Sequence, residues 1–209
     1  MAKTVRGDIA ASAYLKGKMH PHPEALYYNV ARTAVKAARN EADEYERKQH
    51  VAVAMVFSAL CLESFINQEY VRHSETNKIF EEGERGLQLE TKWLMLPLLL
   101  GNKATFDRGT EHYQVFRDLV QTRNERLVHF KPQREIYEFP PDSRKQNEPY
   151  FSDLLNDVER AEKYVNCVGN MIRKLNELTS KKTDIPAFLS NEKYLSRVVS
   201  SATSNFETL

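Results

Sequence analysis

One stretch of the sequence, HVAVAMVFSALCLESFINQEYVR at residues 50–72, restricts the fold more than any other. It is apolar on almost every side, and its notable polar residues, Glu63 and Asn67, are four positions apart, so they share one face of a helix. A helix that is apolar all round is surrounded by other elements of the structure. We therefore expect this segment to be the central helix of an all-α protein.

The remaining sequence predicts further helices packed around this central one. Apolar residues recur at helical spacing, and no segment shows the alternation of a β-strand. Pro23 suits the first position of a helix, and Ser152 suits a helix N-cap. We expect an up-and-down bundle of four to five helices. The predicted helices cover residues 20–49, 50–72, 87–101, 110–129 and 152–178.

Breaks in the helical pattern predict where these helices end. The charged residues of 73–86 indicate a connection rather than a helix. Pro97 should kink the helix that contains it, and Gly101 should stop that helix. Pro132 disfavours helix in the residue before it, so the helix over 110–129 should end close to His129.

The same pattern predicts the domain organisation. Residues 1–22 form a weakly patterned N-terminal lead-in, and residues 23–179 form one helical domain. A long polar segment with a Pro-Pro pair, residues 131–149, is expected to be a loop insertion in that domain. Residues 180–209 are expected to form a polar C-terminal extension with room for one short helix.

Charge and cysteine content exclude several classes of protein. The formal net charge is only +1 over 209 residues, so nucleic acid could be bound only by a local patch. Cys61 and Cys167 lack CxxC neighbours, which argues against a disulfide framework or a zinc site and fits a reducing cytoplasm. The N-terminus lacks the apolar run of a signal peptide, and the apolar windows around 51–62 and 93–100 are too short or interrupted to span a bilayer. We expect a cytoplasmic protein with no membrane partner.

Sequence motifs for several enzyme classes are absent. There is no GxxxxGK[ST], GxGxxG or HExxH, which argues against a nucleotide-hydrolysing enzyme, a dinucleotide-dependent enzyme or a zincin. His20 and His22 have no carboxylate or thiol nearby and do not indicate a metal site. We expect neither a metal nor a cofactor.

The stretch RNERLVHF, residues 123–130, carries the most unusual chemistry in the chain. On a helical wheel Arg123 falls between Val120 and Leu127 on an apolar face. An arginine there must be paired, or must line a cavity or an interface. Glu63 of the central helix is its natural partner.

The spacing between Arg123 and His129 poses a geometric problem. Six residues at about 100° each place them about 240° apart around a straight helix. They can meet one substrate only if the last turn unwinds or a second chain completes the site. His129 is alternatively a simple cap of the helix C-terminus.

The segment Arg123-Asn124-Glu125-Arg126-Leu127-Val128-His129 resembles the Arg-x(4–6)-His signature of HEPN domains, a family of helical proteins that includes nucleases. The segment FSALCLESFINQ, with Glu63 and Asn67, is similar to the second helix of several HEPN subgroups. The resemblance covers roughly residues 23–179 and implies a HEPN-like helical bundle.

This resemblance implies a metal-independent endoribonuclease that acts as a homodimer, such as a toxin or a defence effector with a cognate antitoxin or partner protein. The RNA 2′-hydroxyl attacks the adjacent phosphate. His129 fits the general acid or base, and Arg123 fits the cation against the phosphate. Asn124 could donate a hydrogen bond to a phosphate oxygen or orient His129. Glu63 and Asn67 would support these residues, or would instead form a polar tie between helices. The alternative is a catalytically inactive HEPN-like module for dimerisation or partner binding.

The sequence around the motif is locally basic. Between residues 117 and 134 five basic residues stand against two acidic ones, Asp118 and Glu125, an excess of three before His129 is counted. Such a patch could hold a short stretch of RNA backbone. Alternatively, Arg126 faces solvent or pairs with His129. Besides Arg123, the basic residues expected to bind RNA are Arg117, Arg126, Lys131 and Arg134.

Overall fold

The computed structural model describes residues 23–74, 78–128, 151–180 and 186–190, and in these residues the chain is largely helical and contains no β-strand. The expectation of an all-α fold is therefore confirmed. The described residues form eight α-helices rather than four or five, together with one π-helical segment, Arg123–Val128. The α-helices are α1 (Pro23–Asn40), α2 (Glu44–Ser74), α3 (Lys78–Gly86), α4 (Leu89–Leu99), α5 (Glu111–Thr122), α6 (Phe151–Asn156), α7 (Val158–Leu178) and α8 (Ala187–Ser190).

Helix α2 is central, as its composition predicts. It packs along α1 and also contacts α3, α6 and α7. Buried residues run along it from Val51 to Tyr70. Packing on several sides therefore accounts for its apolar character.

The start of α2 differs from the prediction. The helix expected over 20–49 breaks after Asn40, and α2 begins at Glu44 rather than at residue 50. The cause is a cap: the carboxylate of Asp43 accepts the backbone N–H of Glu46 at 2.9 Å. This bond satisfies one of the N–H groups that a helix start leaves without a partner.

Helix α2 also meets the length and composition of a membrane span. One 18-residue window has a mean hydropathy of 1.6, and half of that window is buried inside the protein. The prediction that the apolar window at 51–62 is too short is therefore wrong about length. The core helix of a globular protein passes the same test, and the buried residues of α2 fit that interpretation.

The connection expected at 73–86 is largely a helix. Helix α3 buries Phe80 and Gly83, and its charged residues are exposed apart from the half-buried Glu84. A Cβ on Gly83 would lie 2.7 Å from the ring of Tyr70, so glycine is needed for this close approach. Helix α4 then continues through Pro97 to Leu99, and Gly101 adopts φ = 83°, as expected of a glycine that stops a helix.

The C-terminal helices also correct the prediction. Ser152 lies inside the short helix α6, and Asp157 caps the long helix α7 by accepting the N–H of Arg160 at 2.8 Å. In the extension beyond residue 179, Phe188 of α8 is buried and its ring lies 5.2 Å from that of Tyr28. The extension is therefore not wholly polar. The lead-in 1–22 and the loop 131–149 lie outside the described residues.

Candidate functional site

The motif segment does not continue the α-helix that precedes it. Helix α5 ends at Thr122, and Arg123–Val128 forms a π-helix instead of the α-helix expected to end near His129. A π-helix closes its turns between residues five apart, and such turns are frequent at functional sites. The change of winding begins at the arginine of the motif.

Arg123 is both paired and next to a cavity, so both alternatives for an arginine on an apolar face hold. Its Nη2 donates to Oε2 of Glu63 at 3.1 Å, and its Nη1 donates to Oδ1 of Asn124 at 2.8 Å. The side chain of Arg123 is 21% exposed and that of Glu63 is 35% exposed. The Nε–H of Arg123 is buried and has no acceptor among the described residues. The expected Glu63–Arg123 pair is confirmed, although Glu63 is half-buried rather than buried.

A cleft of about 580 Å³ lies beside this pair, bounded by residues of α2, α4, α5 and the π-helix. Asn124 also lines it. Three of its charged side chains are basic and three are acidic, so their formal charges cancel. The charged residues of the cleft are Glu63, Glu90, Lys92, Arg117, Arg123 and Glu125.

Asn67 is hydrogen-bonded to Lys92, a lining residue of the cleft whose sequence context did not mark it as functional. The Nζ of Lys92 donates to Oδ1 of Asn67 at 2.7 Å and to the backbone carbonyl of Glu84 at 2.5 Å. Burial lowers the pKa of Lys92, and the nearby carboxylates of Glu84 and Glu63 partly oppose that effect. Asn67 thus ties α2 to α4, while Glu63 ties α2 to the π-helix.

The other residues expected to bind RNA are not all brought together. Arg117 is exposed and lines the cleft. Arg126 is half-buried and does not line it, so the interpretation of Arg126 as a solvent-facing side chain holds only in part. His129, Lys131 and Arg134 lie outside the described residues.

The thiols and the candidate metal ligands lie away from the cleft. Cys61 and Cys167 are free and buried, and burial raises the pKa of both thiols, which keeps them protonated. Near the start of α2, Glu41, Glu46 and His50 bring three possible ligand atoms within 4.8 Å of one another. None of these three residues is buried, and exposed carboxylates often gather without a metal. His20 and His22 lie outside the described residues.

Comparison of the chain with known proteins found no matching family model, no matching curated protein and no matching solved structure. The likeness to HEPN domains therefore rests on the motif residues and on their helical setting.

Proposed function

We propose that the protein is a HEPN-like, metal-independent endoribonuclease that cleaves RNA by attack of the 2′-hydroxyl. The observation that carries the proposal is the setting of Arg123. Glu63 and Asn124 fix this arginine at the edge of a cleft, and its Nε–H has no acceptor among the described residues. A guanidinium fixed in this way suits a phosphate group. His129 follows the described π-helix directly in the sequence.

The reaction needs proton transfer and charge stabilisation. The 2′-oxygen bonds to phosphorus, the bond from phosphorus to the 5′-oxygen breaks, and a 2′,3′-cyclic phosphate remains. One base takes the proton of the 2′-hydroxyl, and one acid gives a proton to the departing 5′-oxygen. Histidine suits both tasks because its ordinary pKa lies near neutral pH. Arg123 stabilises the negative charge on the phosphate oxygens, and Asn124 holds Arg123 in place.

A homodimer is part of this proposal. Two copies of the motif that face each other would supply two copies of His129, one as the base and the other as the acid. A second chain would also bring an Arg123 and a His129 to the same substrate, although these two residues are far apart around one helix. Light scattering at tens of micromolar should report a dimer, and a monomer at that concentration would contradict this part of the proposal. A role as a toxin or defence effector, with an antitoxin or other partner protein, belongs to the same proposal.

The charge of the cleft favours a second candidate function. The three acidic residues lining the cleft offset its three basic residues, whereas RNA-binding surfaces carry a positive excess. A catalytically inactive module that binds a protein partner or a second copy through this surface needs no such excess. Cleavage of RNA decides between the two candidates.

The test is cleavage of single-stranded RNA, with and without EDTA, by the wild type and by the His129→Ala variant. We expect EDTA to have no effect, DNA of the same sequence to resist, and the product to carry a cyclic phosphate. His129→Ala should abolish cleavage and leave helicity unchanged. The matched control is His112→Ala, whose imidazole lies on α5 beside Thr110 and does not line the cleft. EDTA-sensitive cleavage, or equal cleavage of DNA, would contradict the mechanism.

A further inference from the structure

Lys92 is the most enclosed cation of the cleft, and its hydrogen bonds leave its charge unneutralised. The residue is 7% exposed. Its two acceptors, the amide oxygen of Asn67 and the backbone carbonyl of Glu84, are both uncharged. An ammonium group has three N–H donors, so one donor remains for a group in the cleft. A buried charge of this kind calls for an anion nearby.

The carboxylates near Lys92 do not fully supply that anion. Glu63 lines the cleft near Lys92, but it already accepts a hydrogen bond from Arg123 at 3.1 Å. Glu84 is the other nearby carboxylate, and it does not line the cleft. Among the residues that line the cleft, two cations therefore face one carboxylate at this end, while Glu84 acts on Lys92 from outside the lining.

The other two acidic side chains of the cleft are Glu90 and Glu125. Glu90 accepts the hydroxyl of Tyr113 at 2.7 Å, and Arg117 is a charged neighbour of that same tyrosine. Glu125 is exposed and accepts a hydrogen bond from Gln121. The formal charges cancel over the whole cleft, but they are unevenly distributed within it. The positive excess lies where α2, α4 and the π-helix meet.

We propose that Lys92 and Arg123 together form a two-cation site for the non-bridging oxygens of a phosphodiester. The lysine supplies a point charge and a free N–H, and the arginine supplies its planar fork. Asn67 holds Lys92 and Glu63 holds Arg123. Because these two polar residues are four positions apart on α2, one face of that helix sets the spacing of both cations.

The assignment of the phosphodiester to RNA rests on the proposed function. In that reaction Lys92 remains an ammonium ion throughout and transfers no proton. It stabilises the negative charge that builds up on the phosphate oxygens while the 2′-oxygen bonds to phosphorus. In this role Asn67 and Glu63 each position a cation for the phosphate, in addition to joining α2 to α4 and to the π-helix.

The first experiment measures the affinity for a 2′-O-methyl RNA hexamer, which lacks the nucleophile and cannot be cleaved. Lys92→Met should weaken binding about tenfold or more, because a charge-assisted hydrogen bond is lost. Lys92→Arg should retain affinity within about threefold, since it keeps the charge. The matched control is Lys103→Met, an exposed lysine that does not line the cleft, and its affinity should equal that of the wild type.

The second experiment uses only the wild type, so it stands even where Lys92→Met fails to fold. Limited acetylation read by peptide mass spectrometry should show that the hexamer protects Lys92 and leaves Lys103 unprotected. Unprotected Lys92, or a folded Lys92→Met variant that binds as tightly as the wild type, overturns the two-cation site.

The two proposals can fail separately. A protein that protects Lys92 but cleaves no RNA keeps the two-cation site and loses the ribonuclease. Cleavage that needs Arg123 and His129 but proceeds normally in Lys92→Met keeps the ribonuclease and overturns the role of Lys92. A wild type that neither binds the hexamer nor cleaves RNA overturns both.

Discussion

Two arginine–carboxylate pairs are similarly buried but differ in their hydrogen bonding: one includes Asp118 of α5, and the other includes Arg123 at the start of the π-helix. Arg160 and Asp118 are 25% and 44% exposed, and Arg123 and Glu63 are 21% and 35% exposed. Arg160 binds both oxygens of Asp118, at 2.6 and 3.1 Å. Arg123 reaches only one oxygen of Glu63. Burial alone therefore does not distinguish a structural arginine from one that can take a ligand.

The environment of each pair shows what the difference means. The hydroxyl of Tyr164 accepts from Arg160 at 2.8 Å and donates to Asp118 at 2.7 Å, which closes a network between α5 and α7. Arg123, by contrast, lines the cleft, and its Nε–H has no acceptor among the described residues. The first pair holds two helices together, and the second is the one to which we assign a ligand.

The largest expected difference between the pairs is in activity. Arg123→Ala should lower kcat/KM for single-stranded RNA on the order of 10²- to 10³-fold, because a cation that faces the developing charge is lost. Arg160→Ala should change it by no more than about threefold. Both are measured at a temperature where circular dichroism shows each variant folded. Equal losses in the two variants would mean that Arg123 acts through the fold.

The loss of stability should rank the two variants in the reverse order, with Arg160→Ala the more destabilised. Arg160→Ala should lower the free energy of unfolding by about 1 to 2 kcal/mol, since two bonds to a carboxylate and one to Tyr164 are lost. Arg123→Ala should lower it by about 1 kcal/mol or less, because the partly exposed Glu63 is solvated once it is left alone. Urea denaturation of both variants measures these values. A larger loss in Arg123→Ala would show that its pair is the structural one.

The closed network should also respond to alkaline pH. Burial raises the pKa of Tyr164 above its ordinary value of 10.0; the hydrogen bond with Thr122 opposes this effect, and the hydrogen bond to Asp118 adds to it. A raised pKa in the folded state adds stability that is complete below about pH 10 and is lost as the pH rises further. Tyr164→Phe should therefore flatten the fall in stability between about pH 9 and pH 11, by about 1 kcal/mol at the upper end. Thermal denaturation across this range is the measurement, and an unchanged slope would contradict the assignment.

The smallest expected effect is on the salt dependence of RNA binding. If Arg123 and Lys92 together neutralise one phosphate, the slope of log K against log salt for a single strand should be about −0.7. Arg123→Ala should move that slope towards zero, and Arg160→Ala should leave it unchanged. Fluorescence anisotropy with the uncleavable hexamer measures it. A salt-independent affinity would place binding outside the cleft.

Some of this arrangement was predictable from the sequence. An arginine on an apolar face needs a partner, and Glu63 stood out on the central helix, so the pair across 60 positions could be inferred. The sequence also contains a signal for the break before α2. Asp43 followed three positions later by Glu46 is the pattern of a helix start, although the helical periodicity of the preceding residues obscured it.

Other features could not be read from the sequence. Lys92 lies beside Trp93 in an apolar stretch, and its side-chain acceptor, Asn67, is 25 positions away. Its enclosure follows from how α2 and α4 pack, which periodicity does not give. The π-helix was missed for a different reason. An α-turn and a π-turn differ only by the residue that accepts each N–H, and no residue type at 123–128 favours one clearly over the other.

The π-helix at Arg123–Val128 can also be regarded as a matter of chain length. A π-turn contains one residue more than the α-turn it replaces, so this segment holds one surplus residue. Deleting the exposed Glu125 would let the segment return to α-helical winding. The residues after the deletion would keep roughly their position around the helix axis, because the π-turn had absorbed the surplus residue. The spacing from Arg123 to His129 would shorten by one residue and still satisfy the Arg-x(4–6)-His pattern. The Arg-x(4–6)-His signature can therefore be kept when one residue is inserted or deleted, because the local winding of the helix changes to absorb it.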